Sequence, residues 1–417
     1  MSDHGHAWER EGKQRKRVDG RSDRSVATNF EVQVRRTRVA GASHRADHLA
    51  ARHPVDARDE RVTWLYFHAT VILAPNTVRV EAIMWRRVVL AFMVMGGKRV
   101  FVSGVGGELG TTIAGLLEAE SWVGELSGID VDPPRRRLHR TVFHRIHPDE
   151  HDRIVETVAE FNPHVLVHVG VWEPYARAAP KAAARLTDQA ATSILGAAAE
   201  CSALEHVVVR SGIEIYGRGR GALTRPSESA PIAPTSDWGR TVAAIERTAA
   251  TVGERIGVTV GAVRLAPVLG PHVPSPLGRL LRQPGVPFSV LADPPFAVIE
   301  DGDAARAIVA AARVGLAGPV NVVAPGAVTA LQAARRGRRV PVPLVGPDWR
   351  VARALSYLFG APIPDHVSEV LHRGRLADNG RMRDLLGITP DRGTIDVIDR
   401  LYNWPSIVHQ PARVQVA

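Results

Sequence analysis

The sequence predicts an α/β fold in which a doubly wound parallel sheet is covered by helices on both faces. Two observations predict it. From residue 98 onward, short apolar β-branched runs alternate with Ala-rich helical patterns of ten or more residues, and continuous apolar strands belong to sheets buried on both sides. The segment FVSGVGGELGTTIAGLL, residues 101–117, sets a glycine-rich turn between the first such strand and the first helix.

The elements follow in order. KRVFVSG (98–104), LSGIDV (126–131), HVLVHVG (164–170), EHVVVRSG (205–212) and VTVGAVRLAPVLG (258–270) read as buried strands. Between them, TTIAGLLEAE (111–120), HDRIVETVAEF (151–161), AATSILGAAAECS (190–202) and PTSDWGRTVAAIERTAA (234–250) carry helical spacing. The last of these shows a stripe of Trp238, Val242, Ile245 and Ala249 that continues through Val252 and Ile256, the pattern of a packing face. Beyond residue 271, Pro and Gly punctuate more often, and AVIEDGDAARAIVAAARVG (297–315), PVNVVAP (319–325) and MRDLLGITP (382–390) indicate a smaller, interleaved C-terminal lobe. ARRGRR (334–339) reads as a solvated helix end followed by a strand. The expected organisation is a basic, disordered extension over 1–94, a dinucleotide domain over 95–271, the C-terminal lobe over 272–405 and a tail over 406–417.

Composition narrows the function classes. The 417 residues are 45% hydrophobic, enough for a sizeable core. The formal charge is +10, but only four of the 53 basic residues are lysines, a skew that reads as GC-rich coding bias. Residues 1–97 alone carry 17 basic and 11 acidic residues, so much of the excess lies outside the α/β region. That segment lacks the aromatic interleaving of a stacking nucleic-acid arm, so no nucleic-acid partner is expected. The lone Cys201 excludes an internal disulfide and a Cys-rich metal site, and its place at a helix end suits a buried small hydrophobe. No metal is expected. MWRRVVLAFMVMGG (84–97) falls short of the roughly 20 apolar residues of a spanning helix, so a soluble, cytoplasmic protein with no membrane partner is expected.

The glycine turn carries the chemistry. Gly104 suits a tight turn, Gly107 lets the backbone approach a pyrophosphate, and Gly110 allows close helix–strand packing; the helix start, with Glu108 and Leu109, offers free N–H groups to phosphates. Asp130, with Val131 after it, ends the second strand twenty residues beyond Gly110, where a carboxylate accepts from ribose hydroxyls and repels a 2′-phosphate. Asp132 is the near alternative. A Rossmann-like dinucleotide site is predicted, with NAD favoured over NADP.

With these segments in order, residues 98 to 404 resemble the extended short-chain dehydrogenase/reductase superfamily, in particular the NAD-dependent epimerase/dehydratase family that includes UDP-glucose 4-epimerase. SGVGGELG is similar to that family's cofactor turn, and VLVHVG to its fourth strand, with Gly170 among the small residues beside the nicotinamide. HVVVRSGIEIYG resembles the fifth strand with its Tyr-Gly ending at Tyr216, and VRLAPVLGP resembles the Arg-Leu-x-Asn-x-x-Gly-Pro segment. The resemblance implies a Ser or Thr four residues before the Tyr of Tyr-Gly and a Tyr-x-x-x-Lys pair on the next helix. Here those positions hold Gly212, Trp238 and Val242. An indole only donates, and valine has no proton to move. Asp188, Pro267 and Glu300 stand where relatives carry Asn, Asn and His, and no lysine follows Lys181.

Two carboxylates adjoin the lost positions: Asp237, expected to cap its helix, and Glu214, the better candidate for a relocated base. The resulting expectation is an NAD-binding family member that is non-catalytic or weakly active. The alternative is an active nucleotide-sugar epimerase, dehydratase or reductase with relocated acid–base groups. The resemblance also implies a homodimer through the helices that include residues 189–200 and 238–255.

Overall fold

A computed structural model describes residues 97–404 apart from 346–347 and 357–361. The expected extension over 1–94 and the tail over 406–417 lie outside the described residues.

Seven parallel strands form the main sheet: β1 (Lys98–Ser103), β2 (Val123–Asp130), β3 (Thr141–Arg145), β4 (Val165–His168), β5 (His206–Gly212), β6 (Thr259–Leu265) and β10 (Gly318–Val322). Their spatial order is β10-β6-β5-β4-β1-β2-β3. The chain therefore winds outward from β1 in one direction and from β4 in the other, which opens a crevice at the carboxyl ends of β1 and β4.

Strand alternation divides the core between the two faces. Val100 and Val102 of β1, with Val208 and Val263, meet helices α1 (Glu108–Ala119) and α6 (Asp301–Val314). Phe101, Leu166, Val207 and Val209 point the other way, toward α2 (His151–Phe161), α3 (Pro180–Ala198) and α4 (Asp237–Ile256). Cys201 lies buried in this second cluster, as a small hydrophobe.

The predicted packing face of α4 is buried along Trp238, Val242, Ile245 and Ala249. Each large apolar side chain so covered contributes about 1.5–3 kcal/mol. The helix starts at Ser236, whose hydroxyl accepts from the Gly239 N–H at 3.1 Å, and stops at Gly257 with φ +70°. Asp237 does not cap it. Asp237 sits one residue inside and pairs with Arg240, because Ser236 is the residue with the extended backbone that aims a side-chain oxygen at the free amides.

A buried ion pair ties α4 to the sheet. The Arg264 guanidinium on β6 meets Glu246 at 2.9 and 2.7 Å and also donates to the Tyr216 hydroxyl at 2.9 Å, while that hydroxyl donates to Asn321 of β10 at 2.7 Å.

The C-terminal lobe is interleaved with this sheet. It contributes β10, α6 and α10 (Gly380–Leu386) to the main layers and builds its own core from α5 (Pro276–Leu281), α7 (Ala330–Arg336), α8 (Asp348–Ser356), α9 (Asp365–Arg373) and α11 (Thr394–Asn403). Two small parallel pairs complete it: β7 (Val268–Leu269) with β9 (Ile299–Glu300), and β8 (Gly285–Ser289) with β11 (Val340–Leu344). ARRGRR closes α7 and leads into β11, as its composition predicts. Among the described residues no helix is long and apolar enough to cross a membrane, and no group of His, Cys, Asp and Glu could hold a metal ion.

Candidate functional site

Three of the turn glycines are fixed by sterics inside the protein. Gly104 has φ +88°, and a Cβ there would lie 2.4 Å from the Gly170 backbone nitrogen, so the ends of β1 and β4 touch. A Cβ at Gly110 would lie 1.9 Å from the Gly104 carbonyl oxygen, which lets α1 sit directly against the turn. Gly106 is equally confined, 1.9 Å from the Asp132 carbonyl oxygen, and its N–H donates to Asp130 Oδ2 at 2.9 Å.

Gly107 differs. The nearest atom to a Cβ there is the Gly104 oxygen at 3.5 Å, ordinary contact, and its φ is −71°. No described residue confines this position to glycine. No side chain caps α1, so the N–H groups of its first turn face the crevice with the positive end of the helix dipole.

A cleft of ≈ 270 Å³ opens at this point, lined by all eight residues singled out in the sequence: Gly104, Gly107, Glu108, Leu109, Gly110, Asp130, Val131 and Gly170. Burial pushes the Asp130 carboxyl above its ordinary value, against the opposing pull of three backbone N–H groups from Asp132, Val131 and Gly106. Oδ1 accepts from Val131 and Asp132, and Oδ2, which accepts from Gly106 alone, retains a lone pair.

The sequence reading missed His147, Arg177, Glu173 and Arg210, which line the same cleft. Arg177 reaches toward Asp132 at 3.8 Å, placing a cation near the end of β2. Arg210 had a readable signal, since it is the one charge inside the otherwise apolar run HVVVRSG. Glu173 follows β4 in the same manner. His168, at the end of β4, is fully buried; desolvation holds its imidazole at about 4, and Nδ1 lies 2.5 Å from the Ser103 hydroxyl.

Comparison with known proteins now places the chain. The family model described as "NAD dependent epimerase/dehydratase family" matches residues 100–314, a little over half its length. The chain belongs to the NAD-dependent epimerase/dehydratase family. An uncharacterised protein of Mycobacterium tuberculosis is 28% identical over 338 residues, 76% of this chain and 87% of the relative. MoeE5 in complex with UDP-glucose and NAD superposes with a TM-score of 0.57 at 21% identity, over 73% of this chain and 98% of that one. UDP-glucuronic acid 4-epimerase from Bacillus cereus in complex with NAD gives 0.56 at 16% identity, over 73% and 98%. At these identities the structural likeness shows the fold.

Of the positions that the family resemblance assigns to proton transfer, Gly212 and Trp238 line a second, smaller cavity of ≈ 30 Å³, about the room of one water, and Val242 does not. This cavity is lined by Glu173, Arg210, Ser211, Gly212, Glu214, Trp238 and His366, among others. Trp238 and Val242 are buried, 6% and 1% exposed. At Gly212 an added Cβ would lie 2.3 Å from Glu214 Oε2. The Glu214 carboxylate therefore folds back over the space that a serine side chain at position 212 would enter. Burial raises the Glu214 pKa even though the charges of Arg375 and His366 pull it down. The Ser211 hydroxyl is buried without a partner.

His366, from α9 of the C-terminal lobe, covers the indole of Trp238, with ring centroids 5.9 Å apart. Its Nε2 lies 3.0 Å from Glu173, and Nδ1 stands 3.6 Å from Asp365, too far for a good hydrogen bond. Burial alone would lower the imidazole pKa, but the carboxylates of Asp365 and Glu173 outweigh it and hold the ring at about 9. Asp365 also accepts from the Asp237 backbone N–H, which locks α9 against the start of α4. No spacing in the sequence signals His366, because its partners are distant in the chain.

Of the remaining departures, Glu300 has a structural role. Glu300 precedes α6 and pairs with Arg392 at 2.6 Å and Arg400 at 3.1 Å. Asp188 is exposed on α3, and Pro267 lines the smaller cavity.

Proposed function

We propose that this chain binds NAD in the cleft at the ends of β1, β2 and β4, takes a nucleotide sugar beside it, and turns it over slowly or not at all. The residues present fit a dinucleotide. Gly107 lines the cleft without steric confinement, the first-turn N–H groups of α1 suit the pyrophosphate, and the Asp130 carboxylate stands where it accepts from a ribose hydroxyl. The carboxylates of Asp130 and Asp132 favour NAD over NADP; Arg177 beside Asp132 works against that preference. When bound, the nicotinamide supplies the hydride acceptor. The protein's own task would be to hold the substrate and move its hydroxyl proton.

The observation that carries the reading is the state of α4. Trp238 and Val242 are packed into the core where a phenol and an ammonium would do that work, and positioned proton transfer contributes about 10²- to 10⁴-fold. Calorimetry with NAD, NADP, UDP-glucose and UDP-glucuronate, with a turnover assay on the same preparation, tests it. Binding of NAD with turnover far below ordinary enzymatic rates is expected. Turnover at ordinary rates refutes it.

One observation favours the second reading, an active epimerase, dehydratase or reductase. The Glu214 carboxylate occupies the serine position and has a raised pKa, both properties of a relocated base. If turnover is measurable, Glu214→Gln must abolish it. The protein is further proposed to be cytoplasmic and to dimerise through α3 and α4, which pack side by side; sedimentation at micromolar concentration tests the dimer.

A further inference from the structure

Arg210 is a half-buried cation whose charge meets those of Glu173 and Glu214 only at a distance. It sits near the carboxyl end of β5, lines both the large cleft and the small cavity, and makes no hydrogen bond or ion pair with any described residue. The buried arginines Arg264 and Arg375 each pair with a carboxylate, Glu246 and Glu369. The carboxylates that face Arg210 are turned to other contacts. Glu173 is held by His366 at 3.0 Å, and Glu214 is folded over Gly212 with its pKa raised by burial. A half-buried guanidinium that lines the cleft and has no acceptor among the described residues is free to meet an acidic ligand with charge-assisted hydrogen bonds.

Sheet order fixes which part of a ligand Arg210 would meet. Asp130 ends β2 on one side of β1, and Arg210 lies on β5, beyond β4 on the other side. A ligand seated on the glycine turn with a ribose at Asp130 would direct its opposite end toward Arg210.

We infer that Arg210 makes this end of the cleft a carboxylate-recognition subsite, so that the ligand preferred there is an acid and not its neutral counterpart. The inference rests on the dinucleotide and nucleotide-sugar reading of the cleft. A guanidinium matches a carboxylate in a planar, two-bond fork. Glu173 on the same wall disfavours a doubly charged phosphate more than a singly charged carboxylate, since repulsion grows with ligand charge. Two sources offer this chemistry: the uronate of a nucleotide sugar, or the nicotinate of a deamidated dinucleotide.

The test is titration calorimetry on the full-length protein with two matched pairs, UDP-glucuronate against UDP-glucose and nicotinic acid adenine dinucleotide against NAD, at one fixed salt concentration. The native protein is expected to prefer the acid of one pair by about tenfold or more, and which pair responds identifies the source. Arg210→Gln is expected to erase that ratio while the neutral member keeps its affinity. Arg210→Lys is expected to retain part of it, and an unchanged circular dichroism melt verifies that both variants fold. Equal affinities for acid and neutral members in the native protein, or a preference that survives in Arg210→Gln, overturns the subsite and leaves the cleft reading standing. Failure of all four nucleotides to bind overturns both.

Discussion

The fold confines three of the four turn glycines, and on the proposed dinucleotide reading the fourth, Gly107, serves the ligand; alanine substitution separates the two roles. At Gly110 a Cβ would stand 1.9 Å from a backbone oxygen that cannot move aside, and at Gly104 it would stand 2.4 Å from backbone at a φ of +88°. Overpacking of this kind costs about 1–3 kcal/mol, and the left-handed backbone adds about 1–2 kcal/mol at Gly104. Gly107→Ala meets nothing closer than 3.5 Å at a φ of −71°. Reduced unfolded-state entropy there favours alanine by about 0.4–1 kcal/mol, while alanine's weakness as an N-cap costs about as much. Stability should therefore stay within about 1 kcal/mol of the native protein. The same methyl group would project into the space over the first turn of α1, where a pyrophosphate must approach, and NAD affinity should fall by about tenfold or more. Thermal melts and NAD titrations on both variants make the comparison. An unchanged NAD affinity in Gly107→Ala, or a loss of stability equal to that of Gly110→Ala, would refute the reasoning.

Other perturbations follow from the buried charges. Glu246→Ala strands the Arg264 guanidinium, 4% exposed, without its counter-ion, and urea unfolding should show a loss of about 3–5 kcal/mol. His366, held at about 9 against an ordinary 6.5, stabilises the fold fully below pH 6.5 and loses that contribution as pH rises through 9. His168, held at about 4, does the reverse: its contribution is present above pH 6.5 and disappears as pH falls toward 4. The summed contribution of these two residues is greatest near pH 6.5, and His366→Gln should flatten the alkaline limb by an amount on the order of 3 kcal/mol. A urea series across pH 4 to 10 on both proteins checks this, and an unaltered alkaline limb would contradict it.

What was legible in the sequence is what depends on contiguous residues. The glycine turn, the strand before it and the helix after it lie within Lys98–Ala119, so spacing alone indicates which atoms face the crevice. Asp130 and Gly170 were readable because they end apolar runs that only a central strand explains. What was not legible depends on elements that meet across the chain. Gly106 is structural only because the Asp132 carbonyl packs against it, and a GG doublet does not say which glycine is confined. Ser236 and Asp237 both favour N-caps, and only the backbone at the helix start decides between them. His366 acts on Trp238 through the packing of α9 on α4, elements more than a hundred residues apart, which no local pattern records. The position of the Glu214 carboxylate, turned back over Gly212, is likewise set by side-chain conformation.

Glu214 is where the two functional readings diverge most sharply, because they assign opposite value to one costly group. An acid whose pKa is raised on folding is stabilising only while protonated, so above its ordinary 4.5 the ionised form subtracts from stability as pH rises. Glu214→Gln keeps the shape and removes the ionisation. At neutral pH it should therefore raise stability, by about 1–3 kcal/mol on the cost of a poorly compensated buried polar group, whichever reading holds. Turnover then discriminates. If the carboxylate is the relocated base, the stabilised variant is inert where the native protein is active, the exchange of stability for function typical of strained sites. If the native protein binds NAD without turnover, the variant gains stability and keeps its NAD affinity, since Glu214 lines the small cavity and not the dinucleotide cleft. A variant that is less stable than the native protein at neutral pH would contradict both, and would mean that His366 and Arg375 hold Glu214 as a compensated anion.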